Sequence, residues 1–103
     1  MKRKPDRPVP PRRTSPEAAE RIALDALVWI VGDEGRVARF LDATGLDPGS
    51  IRRAATDPAF LAGVLDHLVA DEEALLACAE ALDLPPEAVT GAWAALAPRE
   101  FED

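Results

Sequence analysis

The stretch Ile22–Val31, reading Ile-Ala-Leu-Asp-Ala-Leu-Val-Trp-Ile-Val, constrains this chain more than any other. Only Asp25 in it is charged, and apolar residues fall on every side of a helix drawn through it. A helix that is hydrophobic all round needs neighbours on most sides. Ten residues cannot cross a bilayer, which takes roughly 20 apolar positions. The stretch is therefore expected to be a core helix, buried on most of its sides, with the other helices packed around it.

The rest of the chain reads as helices in series. Ser15-Pro16-Glu17 is a helix start: a capping hydroxyl, a proline suited to the first position, and an acid at the positive end of the dipole. Gly32 suits the end of that helix. Asp33 caps a second helix with the stripe Val37, Phe40, Leu41 and Thr44, and Gly45 ends it. Asp47-Pro48 opens a short third helix with Ile51, Ala54 and Ala55 inward. Asp57-Pro58 opens a fourth, with Leu61, Val64, Leu65 and Leu68 on one face. Asp71-Glu72 begins a fifth, continuous with the fourth or kinked from it. Pro85-Pro86 starts a sixth, carrying Val89, Ala92, Trp93 and Leu96. No useful length alternates with period two. The expected fold is all-α, a compact bundle of about five to six short helices.

Sliding the sequence by 38 residues lays Glu20–Ala55 over Pro58–Trp93 without a gap. Leu27 meets Leu65, Asp33-Glu34 meets Asp71-Glu72, and Pro48 meets Pro86. The apolar positions agree as well, Phe40 with Cys78 and Ile51 with Val89. The expectation is two related three-helix units. Two units are too few for an open solenoid, so they should pack against each other, the first and fourth helices meeting near the centre.

Charge divides the chain. Lys2, Arg3, Lys4, Arg7, Arg12 and Arg13 face one acid, Asp6, among four prolines. That makes +5 before Thr14 and leaves −12 for the remainder of a chain whose net charge is −7. Residues 1–14 are expected to form a disordered basic tail, 15–97 a single helical domain, and 98–103 a frayed end. The tail should lie over its own acidic body as an exchanging layer that salt weakens. An acidic body argues against nucleic acid as the main partner. A single cysteine cannot make an internal disulfide, and no leader or spanning segment is legible, so the expected location is cytoplasmic.

The run Thr44–Asp66, with two Asp-Pro helix starts, Ile51, Phe60-Leu61 and Leu65-Asp66, is followed by Asp71-Glu72 and Leu84–Val89. This pattern resembles a family of short bacterial proteins known as domain of unknown function 3572, over about residues 17–96. The resemblance implies a small helical protein. It carries no activity, cofactor or functional residue across.

Few residues suggest chemistry. His67, beside Asp66 and one turn before Asp71, is read as a boundary histidine hydrogen-bonded to a carboxylate, not as a ligand. Cys78 is read as a small core residue. Asp71-Glu72-Glu73 is read as a helix start and not a cation site. Arg52 and Arg53 lack base-reading neighbours and are read as a local anion contact or a pair with the acidic surface. No catalytic, metal or cofactor-binding residue is assigned, and no enzyme is expected. The favoured reading is a non-enzymatic protein-interaction or adaptor module. The alternative is an accessory protein that contacts nucleic acid or an anionic membrane through the basic tail. The candidate interaction residues are Lys2, Arg3, Lys4, Arg7, Arg12, Arg13, Arg52 and Arg53.

Overall fold

In the computed structural model of the chain, residues 14–97 are described, and every described residue outside a turn or link is helical. The expectations for residues 1–13, and so for Lys2, Arg3, Lys4, Arg7, Arg12 and Arg13, lie outside the described residues, as does the frayed end. The helices are α1 (Pro16–Val31), α2 (Glu34–Thr44), α3 (Ile51–Ala54, entered through a 3-10 turn at Pro48–Ser50), α4 (Pro58–Val69), α5 (Glu72–Ala81) and α6 (Pro86–Leu96).

The starts follow the predicted chemistry. The Ser15 hydroxyl accepts from the Ala18 amide, Asp33 from Arg36, Asp57 from Ala59 and Asp71 from Ala74. Each satisfies one of the amides a helix start leaves unpaired. Proline occupies the first turn of α1, α4 and α6, where no amide is needed. Asp71 also settles the junction left open between the fourth and fifth helices. The chain breaks at Ala70-Asp71, and α4 and α5 are separate.

The ends differ from each other. Gly45 ends α2 with φ +70°, a conformation glycine adopts without strain. Gly32 ends α1 in ordinary right-handed geometry and uses no special freedom. Asp83, after α5, is left-handed at φ +60°. There the Leu84 amide donates to Ala79 O at 2.9 Å and the Asp83 amide to Glu80 O at 3.1 Å, which closes a Schellman turn.

The core is one cluster. Ala19, Ala23, Ala26, Leu27 and Ile30 come from α1, Phe40 from α2, and Leu61, Val64, Leu65 and Leu68 from α4. Leu75, Cys78 and Ala79 of α5 and Val89 and Ala92 of α6 complete it. Helices α1 and α4 do meet, and α6 packs across both, so three helices share the centre where two were expected. Ile51 and Ala55 only partly bury themselves against the cluster. Thr44, placed on the inward stripe of α2, is exposed, and its hydroxyl donates back to Phe40 O.

One expectation fails. The stretch Ile22–Val31 is not enclosed on most sides. Leu24, Val28 and Val31, spaced i, i+4, i+7, form one face of α1 and remain 38%, 62% and 43% exposed. The alanines Ala19, Ala23 and Ala26 let α6 and α4 approach closely on the other sides, so the bundle closes without reaching this face.

The 38-residue offset recurs in the element starts, Glu34 against Glu72 and Pro48 against Pro86. It recurs in the two left-handed positions, Gly45 and Asp83. The third helices are unequal. Three 3-10 residues and a four-residue helix stand against eleven residues in α6.

Candidate functional site

Two surface features stand out. The first is an open cleft of about 560 Å³ between the α1–α2 corner and the α4–α5 corner. Ten of its eleven lining residues fall into pairs 38 residues apart, Glu73 being the exception. Ile30 and Leu68 make the floor, while Trp29 and His67 stand at the helix ends. Asp33 and Asp71 begin the two walls, and Arg36 and Arg39 of α2 face Ala74 and Ala77 of α5. One wall is cationic, and the other combines the two alanines with Glu73.

Arg36 is already engaged. Its guanidinium lies 4.0 Å from the Trp29 ring centroid, and its Nε and Nη2 donate to Trp29 O at 3.0 and 2.8 Å. The arginine thereby caps one of the C-terminal carbonyls of α1, that of Trp29, and stacks on its indole. Asp33 and Asp71 spend their carboxylates on their own helix starts. Of the lining acids, Glu73 alone makes no helix-capping bond among the described residues.

His67 stands at the boundary of the core, as expected, but with a different partner. No carboxylate hydrogen bond to it exists among the described residues. Its half-buried ring meets Phe40 edge-on, centroids 5.2 Å apart, and Phe40 meets Phe60 in the same way at 6.0 Å. Burial lowers the His67 pKa, the Asp71 charge raises it, and Arg39 lowers it again. The carboxylate beside it, Asp66, instead accepts from the Trp93 indole at 2.6 Å. An edge-on aromatic seat supplies packing where the sequence suggested a hydrogen bond.

Cys78 is fully buried, and burial pushes its thiol up to about 11, which keeps it protonated and unreactive. Arg52 and Arg53 are exposed in the last turn of α3, away from the cleft lining. They neither join Arg36 and Arg39 nor form an ion pair among the described residues. Of the expected interaction residues, the described ones, Arg52 and Arg53, stand outside the cleft. Among the described residues no group of three His, Cys, Asp or Glu side chains is placed to hold a metal. No described helix is long and apolar enough to cross a membrane.

The second feature is the open α1 face itself. Sequence reasoning treated its residues as core because periodicity counts apolar positions and not the neighbours that cover them. A signal was present in the offset alignment, where Val28 lies over the charged Asp66 and Leu24 over the small Ala62.

No curated protein and no solved structure matches the chain. The sequence model of a family described as protein of unknown function (DUF3572) matches residues 16–99, which spans all six helices. The chain belongs to that family.

Proposed function

We propose that this protein is a non-enzymatic interaction or adaptor module whose helical body docks a partner. The observation that carries the reading is the open apolar face of α1, where Leu24, Val28 and Val31 stay in contact with water on the helix that otherwise builds the core. Contiguous exposed apolar residues on a folded body mark interaction surfaces. The proposal includes a reducing, cytoplasmic setting, in which a single buried thiol such as Cys78 persists. It also includes descent of the two halves from one three-helix unit, supported by the paired helix starts and paired cleft residues.

The test is a pull-down from source-cell lysate with the full chain, a form lacking residues 1–13, and Val28→Asp. Capture that survives high salt and loss of residues 1–13, but fails with Val28→Asp, supports the adaptor reading. Capture that disappears with residues 1–13 and with salt supports contact with nucleic acid or an anionic membrane instead, and overturns it.

A further inference from the structure

Helix α6 is braced between α4 and α1, and its Trp93 reaches Asp66 on the flank of α4. By the 38-residue offset its counterpart is the 3-10 turn and α3. That counterpart stops at Ala54, because Asp57-Pro58 begins a new helix three residues later. The offset places Leu24, Val28 and Val31 over Ala62, Asp66 and Val69. On α4 this flank is the one α6 borders. On α1 it stands open, Val28 most of all. The more open flank is also the more apolar, which reverses what solvent alone would favour.

Charge identifies what fits there. Glu17 and Glu20 continue the same face toward the start of α1, and Asp25 flanks it. The local cation, Arg21, is held by Asp25 at 3.4 Å. Residues 14–97 carry fifteen acidic side chains against five arginines, so a second copy would meet repulsion at this face. We infer that the Leu24–Val28–Val31 face of α1 is the seat of one cationic amphipathic helix supplied by another protein, with apolar residues at i, i+3 or i+4, and i+7, and lysine or arginine on its flanks. The partner helix takes the place that a full-length counterpart of α6 would occupy. Its stripe excludes water from Val28, and its cations meet Glu17 and Glu20. This inference rests on the adaptor reading and names the chemistry of its partner.

The test uses two synthetic helical peptides with one leucine stripe, the remaining positions lysine in one and glutamate in the other. Each is titrated into the full chain with methyl-labelled Leu and Val. The lysine peptide is expected to shift the Leu24, Val28 and Val31 methyls and to bind at least about tenfold tighter than the glutamate peptide at low salt. Val28→Asp, which removes a side chain the core does not use, is expected to abolish those shifts in a protein that remains folded. Shifts confined to the Leu75 and Leu76 methyls of α5, equal binding of both peptides, or unaltered binding by Val28→Asp would overturn the inference. Concentration-dependent broadening of the same methyls without peptide would overturn it in favour of a second copy. Changes in them on deleting residues 1–13 would overturn it in favour of the chain's own segment. If both peptides fail while lysate capture still depends on Val28, only the partner's chemistry is wrong and the adaptor reading stands.

Discussion

The Trp93 indole nitrogen donates to the Asp66 carboxylate at 2.6 Å, joining α6 to α4 across 27 residues of sequence. This is the only side-chain-to-side-chain hydrogen bond between different helices among the described residues. It ties α6 to the flank of α4 that carries Asp66. Replacing Asp66 by Ala, or Trp93 by Phe, is expected to cost about 1 kcal/mol, since a charged acceptor strengthens the bond and its exposure weakens it. The double variant should cost less than the sum of the two, by denaturant unfolding. Strict additivity would mean that the bond contributes nothing.

The central packing makes a larger prediction. Leu27 and Leu65 are both buried on facing helices in the shared core. Leu27→Ala and Leu65→Ala are each expected to cost about 2–5 kcal/mol, a large fraction of a small domain's stability. Denaturant midpoints that barely move would show that these residues do not carry the core.

The left-handed Asp83 closes α5 where glycine would do so without a Cβ. Asp83→Gly should stabilise the fold by about 0.5–1 kcal/mol, because the native φ is relieved of side-chain crowding. Gly45→Ala, at the equivalent turn of α2, should destabilise by a similar amount. Thermal melts of the two variants moving in the same direction would contradict this account of the turns.

His67 supplies a pH signature. Its pKa is lowered in the fold, chiefly by burial, so the unfolded chain holds the proton more tightly. Its contribution to stability is therefore whole above the unfolded value of about 6.5 and is lost as pH falls through that value. Asp71 and Arg39 act on it oppositely, and Asp33, Arg36 and Glu73 line the same cleft. His67→Gln should flatten the stability profile between neutral pH and the carboxylate range, relative to wild type. A profile unchanged by the substitution would mean that His67 is not the group responsible.

Much of the fold was legible because its signals are local. Ser15, Asp33, Asp57 and Asp71 announce helix starts through chemistry that acts within three residues. The apolar stripe of α4, Leu61, Val64, Leu65 and Leu68, then identifies the buried face by spacing alone. The rest depends on neighbours that no window contains. Val28 looks as apolar as Leu27, and only the packing of α4 and α6 against the other sides of α1 leaves it in water. The cleft was hidden for the same reason. Arg36 and Arg39 are ordinary surface spacings in sequence, and the α1–α2 and α4–α5 corners bring them opposite Ala74 and Ala77. His67 showed its charged neighbours in sequence but not Phe40, which is 27 residues away and provides its seat.

Leu27 and Val28 are adjacent in sequence and turned opposite ways, one into the core and one into water, where we propose that a partner docks. The most direct measurement is partner capture by Val28→Asp, with the denaturant midpoint taken on the same preparation. The account predicts stability within about 0.5 kcal/mol of wild type, as expected for an exposed position, together with loss of salt-resistant capture. A fall in stability of about 2 kcal/mol or more, or capture equal to wild type, would contradict it.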